Sequence, residues 1–161
     1  MRISSELQAF FNDQGMQEKV TFMREQFGGW ERWFQMEFAY SLQEKYKDRY
    51  AVLLEVKDDY TNNLYRTDIH LYANTIHQRE TMLELKCETP QTKNLGRLMD
   101  ADIQKRAQKK EQNVDFEAVA IAISEENLHT AYSTLRKKYH ESIMVYQNPD
   151  WPIAGILVYV E

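Results

Sequence analysis

The chain alternates between stretches whose apolar residues fall at helical spacing and stretches where they run together or alternate, and the order of these stretches sketches a fold. Residues 4–12 read as a short helix ended near Gly15, and "MQEKVTFMREQF" carries apolar residues at helical spacing up to Gly28 and Gly29. A stronger helix runs through "WERWFQMEFAYSLQEKY". "YAVLLEV" follows as a continuous apolar run, the pattern of a strand covered on both faces. The turn-like "KDDYTNN" separates it from a second strand, "YRTDIHLY", and a loop near "ANTIHQ" leads to a third, "TMLELKC". Two short connections predict an antiparallel meander. The rest reads as a long charged helix through "LGRLMDADIQKRAQKKEQ", a strand "FEAVAIAIS", a helix opened by Ser124, and two closing strands, "SIMVYQ" and "AGILVYV".

Composition narrows the class. A chain of 161 residues, 43% hydrophobic and 28% charged, suits one globular domain. Within it, a helical segment covers about 1–27, a core about 28–124, and a closing helix and strands about 125–161. The opening "MRISSELQAFFNDQG" has no sustained apolar run and no later segment approaches a membrane-spanning length, so the expectation is a cytoplasmic protein with no membrane attachment. Cys87, the single cysteine, excludes an internal disulfide and a zinc site of several cysteines, and reads as a buried small hydrophobe. A formal net charge of -5 argues against a broadly basic coat, although local basic patches can survive within it. The chain carries no HExxH, phosphate-binding glycine loop, dinucleotide fingerprint or G-x-S-x-G elbow, so zinc-peptidase, nucleotide-hydrolase and serine-hydrolase chemistry are not expected.

The second and third strands hold the candidate chemistry. Side chains alternate across a strand, so Asp68 shares a face with Arg66, His70 and Tyr72, while Glu84 shares one with Met82 and Lys86. If both strands turn their aliphatic residues to one core, Asp68, Glu84 and Lys86 converge. Two carboxylates on neighbouring strands form part of a site for a hard cation such as magnesium or manganese, and a lysine beside them can place water or stabilise charge on a phosphate. The plainer reading is a solvated face of an amphipathic hairpin. On the preceding helix, Glu37 falls roughly 20° from Trp30 in a stripe completed by Trp33, Phe34, Tyr40 and Ser41, which aims a third carboxylate into aromatic surroundings. Such a group needs a partner: a metal, a hydrogen-bond network, or a cation such as Arg66 or Lys86. Glu31 lies toward the edge of the stripe and is easier to explain as solvated.

A helix with an inward glutamate, a three-stranded meander carrying Asp68 and then Glu84-x-Lys86, a helix and a further strand together resemble the PD-(D/E)XK nuclease superfamily. The resemblance spans roughly residues 28–124. It implies an α/β (α+β) fold with a restriction-endonuclease-like αβββαβ core, its central mixed sheet flanked by helices. It further implies a magnesium- or manganese-dependent nuclease acting on nucleic acid, DNA in preference to RNA. Asp68 would stand at the first acidic position, Glu84 at the second, Lys86 at the lysine, and Glu37, with Glu31 as the alternative, at the helix glutamate. Thr67 occupies the place of the motif's proline.

Other residues add to this picture. Lys105 and Lys109, with Arg106 and Lys110 in an adjacent row, could follow a phosphate backbone, or be a solvated face paired with Asp100, Asp102 and Glu111. Gln104 or Lys105 would fit the polar residue that family members carry near the site on this helix. "RKKY" at 136–139 is a second basic cluster with the same two readings. His70 shares the face of Asp68, whereas His77, His129 and His140 read as surface. A nuclease of this size would have to recognise its target through loops, a homodimer partner or a larger protein complex. The competing reading is a nuclease-fold module that binds protein and cuts nothing, which the acidic balance favours.

Overall fold

A computed structural model describes residues 2–24, 30–57, 61, 64–108, 114–147 and 153–160. Among the described residues the elements run α1 (Ser4–Asn12), α2 (Gln14–Arg24), α3 (Trp30–Tyr46), β1 (Tyr50–Val56), β2 (Thr67–Ala73), β3 (Thr81–Cys87), α4 (Leu95–Gln104), β4 (Asp115–Ala122), α5 (Glu125–Tyr139), β5 (Ile143–Gln147) and β6 (Ala154–Val160). The six strands form one mixed sheet in the order β1-β2-β3-β4-β6-β5. β1, β2 and β3 are the expected antiparallel meander, and β3 and β4 are parallel, joined through α4. β6 then runs antiparallel to β4, and β5 antiparallel to β6. No helix among the described residues is long and apolar enough to cross a membrane.

Alternation along the strands sorts the side chains into two cores, one on each face of the sheet. Ile69, Leu71, Leu83, Leu85, Cys87, Val119, Ile121 and Leu157 meet α1 and α3. Met82, Phe116, Ala118, Ala120, Ile156 and Val158 meet α4 and α5 on the other face. The central strands are therefore sandwiched between helices, while β1 is an edge strand with Leu53 47% exposed. This corrects the expectation that "YAVLLEV" is covered on both faces; its apolar run reflects α3 on one side only. The charged helix is also shorter than its pattern suggests. α4 ends at Gln104, a single 3-10 turn follows over Lys105–Gln108, and residues 109–113 lie outside the described set.

Polar side chains fix how the layers meet. The Glu88 carboxylate, just past β3, accepts from the N–H groups of Ile123 and Ser124 and from the Ser124 hydroxyl and Asn127 amide, while Trp30 Nε1 donates to the Glu88 carbonyl at 2.8 Å. A negative group is thus seated at the start of α5, where the helix leaves unpaired N–H groups, and Ser124 caps that helix through Asn127 N as its sequence position predicts. α4 and α5 pack closely enough that a Cβ added at Gly96 would lie 2.8 Å from the Ala131 Cα.

Glu117 on β4 is a buried carboxyl in the α1-side core: Oε2 accepts from Ile3 N at 3.2 Å and Oε1 has no hydrogen-bond partner. Burial pushes its pKa up to about 8 from an ordinary 4.5. The folded chain then keeps a proton that the unfolded chain releases, so stability falls as pH rises from about 4.5 to about 8. Glu117→Gln removes that dependence. Thermal melts of the two proteins should coincide near pH 4.5 and separate as pH rises, with the Gln variant the more stable at pH 8; curves that stay parallel would refute the assignment.

Candidate functional site

The candidate site forms where the ladder around β2 fails. Between β1 and β2 the register pairs Leu54 with Ile69 and Val56 with Thr67 but skips the intervening Glu55 and Asp68. Glu55 has φ 55°, a left-handed conformation that costs a residue with a Cβ on the order of 1 kcal/mol. On the other side, pairing with β3 ends at Ile69 opposite Leu83, so the next position in register would oppose Asp68 to Glu84. Asp68 is therefore a one-residue gap in the β1 ladder, which resumes in the same register at Val56 and Thr67, and lies just past the end of the β3 ladder. Gln35 of α3 takes up its carbonyl, donating to Asp68 O at 2.5 Å.

β3 remains fully paired with β4, but on its β2 side the N–H groups of Leu85 and Cys87 lose their strand partners. Two carboxylates replace the missing carbonyls. Asp68 Oδ2 accepts from Leu85 N at 2.7 Å, and Glu31 Oε2 accepts from Cys87 N at 2.7 Å. Hydrogen bonds from backbone N–H to a carboxylate are of the stronger kind, each contributing on the order of 1.5–3 kcal/mol. The carboxyl of Asp68 is half-buried: loss of solvent around it, partly offset by the Leu85 bond and by Lys86, raises its pKa to about 6.

On the α4 side of the break the charges alternate in a chain. Glu84 is fully buried, and its Oε2 lies 3.3 Å from Lys105 Nζ. Lys105 reaches Asp102 Oδ1 at 2.7 Å. Asp102 Oδ2 lies 3.6 Å from Lys86 Nζ, and Lys86 also pairs with Glu31 Oε1 at 3.3 Å. Four carboxylates and two ammonium groups, from α3, β2, β3 and the end of α4, therefore form one charge cluster. Burial works against the charge on Lys86, but Asp102, Glu31 and Asp68 outweigh it and raise its pKa. Lys86 is accordingly a fixed cation. The buried Cys87 thiol is pushed well above its ordinary value by burial, which makes it an inert neighbour.

The sequence-derived residues fare unequally. Asp68, Glu84 and Lys86 come to adjacent positions on β2 and β3, but Glu84 is buried beneath α4 rather than lying on a solvated hairpin face. Glu37 is not part of the cluster: it pairs with Lys19 of α2 at 3.4 Å on the outer side of α3. The buried stripe of α3 is Trp30, Phe34, Phe38 and Leu42, with Tyr40 65% exposed, so the helix is rotated away from the orientation that would bury Glu37. Glu31, the alternative, is the α3 carboxylate at β3. Lys105 joins the cluster instead of extending along a basic row, Arg106 is half-buried, and Lys109 and Lys110 lie outside the described residues. Gln104 bonds to Tyr139 Oη at 3.2 Å, tying α4 to α5. His70 is buried, stacked on Tyr72 and 3.1 Å from Glu80 Oε2.

Asp102 pairs with Lys105 as the reading of a paired basic row expected, but its place beside Lys86 at β3 was not anticipated, although its signal was present. It falls roughly 20° from Leu95 on the stripe completed by Met99 and Ile103, the same angular relation that pointed wrongly to Glu37 on α3.

A hard divalent cation suits this donor set in kind: magnesium commonly takes one or two carboxylates and keeps several waters, and Asp68 and Glu84 offer two. Among the described residues no three His, Cys, Asp or Glu side chains are gathered into a metal cage, and Lys105 already stands against Glu84. No family model, no curated protein and no solved structure is significantly similar to this chain.

Removing each α3 carboxylate separates the two positions. Glu31→Ala leaves Cys87 N–H and Lys86 short of a partner and should cost about 1–3 kcal/mol in denaturant unfolding. Glu37→Ala breaks a half-exposed pair and should change stability by less than about 0.5 kcal/mol. Equal effects of the two variants would overturn the assignment of Glu31.

Proposed function

We propose that the protein is a metal-dependent nuclease that hydrolyses phosphodiester bonds of nucleic acid, DNA in preference to RNA, with a restriction-endonuclease-like αβββαβ core. The order α3, β1, β2, β3, α4, β4, with a meander followed by a parallel strand, supports the fold. The observation that carries the function is the register that sets Asp68 opposite Glu84 at the break in the sheet, with Lys86 two residues further along β3. Asp68 and Glu84 would hold magnesium or manganese, which when bound supplies a more acidic water and charge neutralisation at the phosphate. The remaining steps fall to the chain. Lys86, held by Glu31 and Asp102, presents a fixed positive charge to a phosphate oxygen, and the surrounding burial strengthens that attraction. Glu31 is a positioning residue, acting through Lys86 and the Cys87 N–H.

A second reading has one observation in its favour. Lys105 stands 3.3 Å from Glu84 and balances its charge from within the chain, as suits a nuclease-fold module that binds a protein partner and no longer cuts.

Supercoiled plasmid and single-stranded DNA, incubated with magnesium or manganese, distinguish the two. Metal-dependent cleavage should fall by about a hundredfold or more in Asp68→Asn and in Lys86→Ala, and persist in Glu37→Ala. Absence of cleavage by the unaltered protein with either metal would favour the binding module.

A further inference from the structure

Helix α3 buries Trp30, Phe34, Phe38 and Leu42 against the sheet and turns other large side chains to solvent. Met36 is 53% exposed and Tyr40 65%. On α2, which Lys19 ties to Glu37 of α3, Phe22 is 64% exposed in the turn after Lys19. Exposed apolar residues scattered singly are ordinary on any surface, but Met36 and Tyr40 adjoin on one row. Residues four apart form the ridges by which helices pack. The row that holds these two runs Arg32, Met36, Tyr40, Glu44: a basic end, two apolar residues and an acidic end, all four exposed.

That order is complementary to itself when reversed. Laid antiparallel about a two-fold axis at the level of Phe38, Met36 of one copy meets Tyr40 of the other, and Arg32 meets Glu44 at both ends. A parallel pairing would set Arg32 against Arg32 and Glu44 against Glu44, which like-charge repulsion disfavours. Ridges of this kind seat in one another's grooves when helices cross at about 50°. Arg32 has donors to spare: its Nη1 bonds to Glu55 and to Gln35, both at 2.8 Å, its side chain is 50% exposed, and a guanidinium carries five N–H groups. We propose that two copies of this chain associate through the solvent face of α3, with Met36 and Tyr40 at the centre of an antiparallel helix contact and an Arg32–Glu44 pair at each end. The contact uses the same surface on both copies, so it closes as a dimer and does not propagate. It holds whether or not the protein cuts nucleic acid. One ridge against its copy buries less than the roughly 1,200 Å² of a stable complex, so the dimer is weak, with a dissociation constant on the order of 10–100 µM.

Sedimentation velocity on the full chain, at concentrations from about 1 to about 500 µM, tests this. The unaltered protein should pass from monomer to dimer across that range. Tyr40→Ser and Glu44→Arg, both at exposed positions, should each weaken association about fivefold or more while leaving thermal melts unchanged. A mixing experiment reads the pairing itself. Glu44→Arg alone and Arg32→Glu alone each set like charges together, whereas a mixture of the two restores a basic group opposite an acidic one at both ends, so the mixture should associate about fivefold or more tightly than either variant by itself. Because Arg32→Glu also removes a partner of Glu55 and could fold poorly, Tyr40→Ser and Glu44→Arg decide the matter without it. A protein that stays monomeric throughout the range, or a dimer that Tyr40→Ser and Glu44→Arg leave equally tight, would overturn the proposal.

Discussion

A β-strand that leaves its neighbour must find new acceptors for the N–H groups it abandons, and in this chain that need organises the candidate site. β2 stays in register with β1 but the ladder passes over the Glu55 and Asp68 pair, and its pairing with β3 ends at Ile69, so Asp68 is paired in neither ladder. β3 cannot move to compensate, because it is held along its whole length by β4 and covered on both faces. The exposed N–H groups of Leu85 and Cys87 are therefore met by the carboxylates of Asp68 and Glu31. A sheet of amides and carbonyls becomes, at one place, a sheet closed by negative charge, and the lysines follow from that. Burying several carboxylates together is costly without cations, and Lys86 and Lys105 supply them.

This origin gives every acidic residue of the cluster both a structural and a chemical aspect. Asp68 completes an edge of β3 and keeps a carboxyl whose pKa is lifted to about 6 by burial. Glu84 faces it from β3 and is neutralised by Lys105. Glu31 orients Lys86 while occupying the Cys87 N–H.

Much of the architecture was legible because it depends on local pattern. The bounds of α3, β1, β3 and β6 follow from where periodicity changes, and Ser124 announces α5 through its own side chain. What sequence alone obscured depends on the packing of distant parts. β1 reads as a covered strand because its run is apolar, but whether it is an edge is decided by sheet order. The rotation of α3 is set by Trp30, Phe34, Phe38 and Leu42 against the sheet, and this puts Glu31 rather than Glu37 over β3. The Trp33–Tyr40 side of the helix looked equally aromatic, which is why the period could not choose between them. Asp102 and Lys105 join the cluster only because α4 crosses beneath Glu84, a relation between residues about twenty apart in sequence.

Asp68 closes the edge of β3 with a half-buried carboxyl of raised pKa. The most direct test of this role is a pH titration of the amide signals of Leu85 and Cys87 in 1H–15N spectra. The Leu85 signal should move with a midpoint near 6, as protonation of Asp68 weakens the bond from its N–H, and the movement should vanish in Asp68→Asn. A Leu85 signal that stays fixed between pH 4.5 and 8, or that moves identically in the variant, would contradict the account.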